Sequence, residues 1–410
     1  MKKADEMLKQ IYEDYKDTIL LALVAAIIGI GVASIDVLFG KVLDYLGAFR
    51  DGHVNWMLPF FPFAGLIIVY IYANVGKDCT KGMGLIFSAG FGDRDKIPKR
   101  LIPLAIISTW LTHLFGGSAG REGVAIQIGG TFGHSVGRKL HIKNCSEILL
   151  VSGMAAGFSG LFLTPLAAIF FALEVFVVGS FEYIALFPTI VAAFSAYYTS
   201  KALGLTQFSV DLSIPTQANY VVLLKLVLIG IIFGIVGALF AYAFSSMKIF
   251  FGLKLKNPFI RIFVVGTVIS ILMFVLHHGR YSGLGSNIIR ACFTDGKVYS
   301  YDWIVKCMLT IMTLSAGFQG GEVTTLFTMG SSLGVILAPF VGLPIELTAA
   351  LGYAAVFGSA TNTILAPIFI GVEVFGYEYL PYFFLVCSIS YVFNANKSIY
   401  AMQRKSYLFQ

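Results

Sequence analysis

The sequence predicts an all-α polytopic membrane protein made of two related halves, with helices that break or re-enter within the bilayer. Three observations carry that prediction. The 410 residues are 57% hydrophobic and only 12% charged, with a mean hydropathy of +0.83, too apolar for a water-soluble chain of this size. Several apolar runs fall short of the roughly 20 residues that a spanning helix needs and are interrupted by Gly or Pro, as in half-spans and re-entrant segments. Residues 153–176 also lie on residues 352–375 without a gap at an offset of 199, with 12 identities in 24 positions. An internal repeat of this kind in a membrane chain points to a site at the interface between the halves.

Taken in order, residues 1–17 mix both charge signs around Met7, Leu8, Ile11 and Tyr15. That pattern suits an amphipathic helix on the cytoplasmic surface better than a cleaved signal peptide. Residues 18–46 read as a long apolar helix in which Asp36 either faces protein or marks a bend. Pro59 and Pro62 open an apolar run over 63–72, and Gly82, Met83 and Gly84 then form a helix-start pattern in a polar knot. Helices are expected over 101–115, 123–136, 148–159, 164–178, where Pro165 suits a first turn, and 186–202. These close a first membrane repeat over 18–202. The second, over 203–410, opens with a very long span at 220–246 and continues through 259–276 and 303–312. A glycine-rich stretch at 317–334, three apolar segments and a polar tail containing Tyr400 complete it.

Charge and cysteine usage exclude other classes. The net charge is +7 without a long basic tract, so no nucleic-acid partner is expected. Short basic clusters (Arg94 to Arg100; Arg138, Lys139 and Lys143; Lys248, Lys254 and Lys256) read as loops at a cytoplasmic headgroup layer. Five scattered cysteines have neither metal-ligand nor redox spacing, and no cofactor or metal is expected. Ser118, His113 and Asp36 could be assembled into a nucleophilic set, but no paired spacing supports an enzyme.

The chain is organised around GGSAGREGVAIQIGGTFG at 116–133, which sets Arg121 and Glu122 among seven glycines. A charge at bilayer depth costs about 2.5–3.5 kcal/mol even on insertion scales, so both side chains should face a cavity. Glycine lets the backbone turn and aim its amides, and helix amino termini converging near the midplane hold anions. The stretch therefore reads as a helix start aimed at an anion, with Glu122 as its gate. At an offset of 201, Gly116, Gly120, Gly129 and Gly133 fall on Gly317, Gly321, Gly330 and Gly334.

GREG at 120–123, followed by QIGG at 127–130, resembles the most diagnostic motif of the CLC family of anion channels and anion/proton exchangers. GMGLI at 82–86 stands where that family has GSGIP, GGEVTT at 320–325 where it has GGxFxP, and Tyr400 where it has a tyrosine near the carboxyl end. Met83 replaces the serine of chloride-handling members, Val124 a proline, and Val323 to Thr325 the Phe-x-Pro of the later motif. These departures resemble the fluoride-exporting branch.

The resemblance implies two inverted-topology repeats and a homodimer with one pore per subunit, multi-pass in the plasma membrane with both termini cytoplasmic. It implies export of fluoride in exchange for protons. The anion site would draw on Gly82, Met83, Arg121, Gly123, Val323, Thr324 and Tyr400. Glu122 would compete with the anion when ionised and leave with a proton when neutral. Glu322 is either a plain helix cap or a group that exchanges protons with Glu122. Val175 stands where chloride/proton exchangers carry the second glutamate of a pair, which leaves Glu174 and Glu373 as structural, each capping or pairing within its half. A chloride/proton exchanger of the same fold and a passive fluoride channel are the alternatives.

Overall fold

The computed structural model describes residues 2–212, 219–294 and 296–406, with side chains from residue 15 onward. The first half contains α1 (Lys2–Gly52), a short α2 (Val54–Met57), α3 (Phe61–Asn74), α4 (Met83–Gly90), α5 (Leu101–Leu114), α6 (Glu122–Gly137), α7 (Cys145–Phe162), α8 (Pro165–Glu174) and α9 (Leu186–Ala202). The second contains α10 (Tyr220–Lys254), α11 (Pro258–Val275), α12 (Ser286–Cys292), α13 (Asp302–Ala316), α14 (Val323–Val341), α15 (Ile345–Thr361), α16 (Leu365–Phe375) and α17 (Leu380–Val392). Among the described residues, six stretches are long and apolar enough to cross a bilayer. By contrast the 8 residues of α4 reach only about 12 Å at 1.5 Å per residue, well short of a hydrocarbon core.

Helix α1 runs unbroken across position 17, so no turn separates a surface helix from the membrane span. The apolar face expected at Met7, Leu8 and Ile11 lies outside the described side chains. Asp36 is fully buried inside that unbroken helix, so it faces protein and marks no bend. One side of α1 exposes Leu23, Ile27 and Ile30 while another buries Ala25, Ile28 and Val32. Exposed Leu224, Leu228 and Leu239 on α10, with Ile260 and Ile271 on α11, continue this apolar outer surface, which suits contact with lipid.

The centre of each half is a helix pair joined through small residues. A Cβ built on Gly129 of α6 would collide with the Gly153 carbonyl of α7, and one on Gly330 of α14 with the Gly352 carbonyl of α15. Only glycine permits this backbone approach, which gives dispersion contact where lipid supplies no hydrophobic drive. The packing recurs by half: α1 lies against α9 as α10 lies against α17, and α7 lies against α9 as α15 lies against α17.

The halves meet at α8 and α16, where Phe170 stacks on Phe369, its counterpart at the 199-residue offset, with ring centroids 4.3 Å apart. Here the expectation for the two glutamates needs correction, because each caps the other half. Glu174 accepts from the amides of Ile364, Leu365 and Ala366 at 3.2, 3.1 and 2.8 Å, and Glu373 from Leu166 and Ala167 at 2.9 Å each. The first amides of a helix have no intrahelical acceptor, and the nearest carboxylate is at the end of the facing helix. Helix α8 also stops at Glu174, short of the expected 178. Val177–Val178 pairs in parallel with Arg404–Lys405, tying the segment that follows Tyr400 to the end of α8.

Candidate functional site

The amino termini of α6 and α14 start side by side. Gly120 and Gly321, equivalent residues of the two halves, form an antiparallel bridge in which Gly120 N–H donates to the Gly321 carbonyl at 2.5 Å and Gly321 N–H to the Gly120 carbonyl at 2.7 Å. A Cβ on Gly120 would lie 2.6 Å from Glu122 Oε2 and 3.1 Å from Thr324 N, so a side chain there would obstruct the site.

Glu122, the first residue of α6, is fully buried. Its Oε2 accepts from the main-chain N–H of Arg121 and of Thr324, each at 3.0 Å, and its Oε1 accepts from the Thr324 hydroxyl. A carboxylate therefore sits where one main-chain amide from the start of α6, one from the start of α14 and a hydroxyl of the first turn of α14 converge, an arrangement suited to negative charge. Gly123 and Val323 are buried in the adjoining first turns.

Arg121 does not pair with Glu122. Its guanidinium reaches Asp44 on α1, with Nη1 3.1 Å from Oδ1, so its main chain serves the carboxylate while its side chain is engaged elsewhere.

Two cavities divide the remaining residues. The first, about 870 Å³, is lined by Arg121, Glu122, Thr324 and Tyr353, among others. Arg50, Arg121, Arg280 and Arg290 outweigh Asp44, Asp51 and Glu122 along it. The second, about 380 Å³, is lined by Gly82, Met83, Gln127, Glu322 and Tyr400, together with Lys81, Lys248 and Arg261. Excess positive charge in both concentrates anions at their mouths.

Gly82 precedes α4 with a φ of +49°, a left-handed geometry that glycine adopts without strain. Tyr400 is buried, and its hydroxyl has no hydrogen-bond partner among the described residues, leaving a donor available in the second cavity. Glu322 lies close behind the bridge: its Oε2 is 3.5 Å from a Cβ built on Gly123. The predicted residues thus form two groups, Arg121, Glu122 and Thr324 on the first cavity and Gly82, Met83, Glu322 and Tyr400 on the second. The glycine bridge and the first turns of α6 and α14 lie where the groups meet.

Several lining residues escape sequence reasoning. Lys248, read as part of a loop cluster, belongs to α10 and lines the second cavity with its ammonium over the Phe244 ring at 4.2 Å. Tyr353, stacked on Phe327 at 3.9 Å, carries no motif at all. Gln127 stood in the quoted QIGG run, and its amide is 3.4 Å from a Cβ built on Gly82.

Ser118, His113 and Asp36 do not assemble. The Ser118 hydroxyl pairs with Thr310 at 2.8 Å, and both ring nitrogens of His113 face the main-chain carbonyls of Thr109 and Ala119. No cluster of metal-ligating side chains occurs among the described residues.

The sequence profile of the voltage gated chloride channel family matches residues 64–395. A chloride/fluoride channel protein of Pseudomonas syringae pv. tomato is 34% identical over 389 residues, covering 93% of this chain and 85% of that protein. The crystal structure of a CLC-type fluoride/proton antiporter superposes with a TM-score of 0.94 at 49% identity, covering 96% of this chain and 99% of that one. A slow cyanobacterial chloride/proton antiporter shares the fold at a TM-score of 0.76 and 19% identity, covering 91% of this chain and 94% of that one. The chain is a multi-pass membrane protein of the CLC family.

Proposed function

We propose that this protein exports fluoride across the plasma membrane in exchange for protons, as a homodimer with both termini cytoplasmic. The observation that carries the reading is the position of Glu122: its carboxylate fills an amide and hydroxyl site that an anion could occupy in its place. Removing water from a small anion without replacement donors costs many kcal/mol, and helix starts supply donors that need no reorganisation. Ionised Glu122 competes with fluoride for these donors. Protonated Glu122 loses its claim on them, so each exchange of anion for side chain moves a proton as well.

On the second cavity Met83 offers a thioether where a hydroxyl would serve chloride, and Tyr400 offers a phenol. Glu322 shares that cavity with Lys248, and its Oε2 is 3.5 Å from a Cβ built on Gly123, the residue after Glu122. We assign it the role of passing protons to and from Glu122. No catalytic chemistry is assigned to the chain. Efflux from proteoliposomes, followed with fluoride- and chloride-selective electrodes, tests the assignment. Fluoride should leave much faster than chloride, and equal rates would favour a chloride/proton exchanger instead. Similarity to the Pseudomonas chloride/fluoride channel protein favours one rival, a passive fluoride pathway, which would carry fluoride without moving protons uphill.

A further inference from the structure

Asp36 is a buried titratable group that the proposed mechanism leaves unused. It is fully buried in α1, and neither carboxyl oxygen has a hydrogen-bond partner among the described residues. The Ser200 hydroxyl of α9, also buried and unpartnered, lies beside it: a Cβ built on Gly160 of α7 would be 3.1 Å from Asp36 Oδ2 and 3.4 Å from Ser200 Oγ. An ionised carboxylate is not retained in such surroundings without a counter-charge.

Helical spacing supplies an independent observation. Asp36, Gly40 and Asp44 succeed one another at four-residue steps along one face of α1. The Arg121 guanidinium lies over the middle of this stripe, with Nη1 3.1 Å from Asp44 Oδ1 and 3.8 Å from a Cβ built on Gly40. Position 40 has no side chain of its own, and the atoms between Asp44 and Asp36 are the mobile ends of side chains: Leu161 Cδ1 and Leu205 Cδ1 lie 3.1 and 3.7 Å from a Cβ built there, and the guanidinium would have to displace them to reach Asp36. The two carboxylates differ sharply, since the Asp44 side chain is 59% exposed and Asp36 is 0% exposed. Each four-residue step advances about 6 Å along the axis.

Arg121 is the cationic side chain that the geometry brings over the stripe leading to Asp36. The other charged or titratable groups on neighbouring elements are turned elsewhere. Lys41 of α1 donates to the Leu203 carbonyl, Lys201 of α9 reaches Tyr197, and Glu147 of α7 accepts from Ser146 at the far end of that helix. His113 of α5 faces two main-chain carbonyls, and Glu122 of α6 is engaged with Thr324.

We propose that Asp36 and Asp44 are alternative partners of Arg121 and that a proton on Asp36 selects between them. With the proton in place, the guanidinium pairs with Asp44, as seen here. When Asp36 loses its proton to water admitted from the first cavity, which Arg121 and Asp44 line and Asp36 does not, the guanidinium moves inward and compensates the new carboxylate. The Arg121 main-chain N–H holds Glu122 Oε2 at 3.0 Å, so the swing bears directly on the gate. Asp36 is thus a positioning residue acting through Arg121, an inference that rests on reading Glu122 as the gate of coupled exchange.

Infrared spectroscopy of the full-length protein in liposomes tests it, by difference between the parent and Asp36→Asn or Asp44→Asn. The carbonyl stretch of a protonated carboxyl group should disappear in Asp36→Asn. It should also weaken or disappear in Asp44→Asn, where Arg121 is left with Asp36 alone although Asp36 itself is untouched. In parallel, the alkaline limb of fluoride-driven proton movement should shift to higher pH in Asp36→Asn and to lower pH in Asp44→Asn. A purely structural role would not produce opposite shifts. No missing band in Asp36→Asn, a full band in Asp44→Asn, or pH profiles equal to the parent's would each overturn the proposal. Should Asp36→Asn fail to fold, the exposed-site variant Asp44→Asn carries the same test. If the parent itself moves no protons against fluoride, the proposed function fails, while the infrared comparison still decides which carboxyl holds the proton.

Discussion

At the scale of single residues, the proposed exchange is a contest between one carboxylate and one anion for the same donors. Thr324 contributes both a main-chain N–H and a hydroxyl to Glu122. Thr324→Val keeps the first and removes the second. A hydrogen bond to a charged group contributes about 1.5–3 kcal/mol, so fluoride should bind roughly 10- to 150-fold more weakly, as measured by calorimetric titration. Unchanged affinity would remove the hydroxyl from the anion site. Glu122 was legible in the sequence because a charge among glycines in an apolar stretch needs a structural reason, and Thr324 was indicated only by the resemblance of GGEVTT to a family motif. Tyr353 and Gln127 were not legible. Their place in the site depends on which helices meet, and one-dimensional spacing holds no record of that.

At the scale of elements, the two halves are locked by crossed caps. Glu174 satisfies three amides at the start of α16 and Glu373 two at the start of α8. Glu174→Ala would leave those amides without an acceptor in an apolar setting, at a cost of about 3 kcal/mol. Thermal unfolding in detergent should show a clearly lowered midpoint, and Glu373→Ala should behave alike. An unchanged midpoint in both would mean that water or another group takes over the caps.

The repeat that identifies these glutamates was readable as matching residues at a constant offset. The crossing was not, because a carboxylate at a helix end serves whichever helix start faces it, and only the antiparallel meeting of α8 and α16 reveals which one. The unbroken course of α1 and the pairing of Val177–Val178 with Arg404–Lys405 were hidden for a similar reason. A mixed-charge segment fits a surface helix and an extension of a span equally well, and a two-residue strand leaves no periodicity to read.

At the scale of the whole molecule, two positively lined cavities reach the starts of α6 and α14 through different residues, Glu122 and Thr324 in the first and Gln127 and Glu322 in the second. Their charge acts at a distance, so it should govern ion capture and fade with salt. Lys248→Glu reverses a charge in the second cavity without touching the donors around Glu122. Fluoride entry from that side at low ionic strength should fall roughly tenfold, and high salt should narrow the difference. A salt-independent loss would mean that Lys248 binds the ion directly. Lys248 was misread as a loop residue because α10, at 35 residues, extends about 52 Å and outlasts the apolar run that defined it in the sequence.

The central claim is that one side chain, Glu122, ties anion occupancy to proton movement. It is tested most directly by imposing a fluoride gradient across proteoliposomes with no initial pH difference and recording the pH inside. The parent protein should drive protons uphill as fluoride runs down its gradient, and Glu122→Gln should abolish that movement. Fluoride flux from active parent protein without any proton movement, or full coupling retained in Glu122→Gln, would contradict the account.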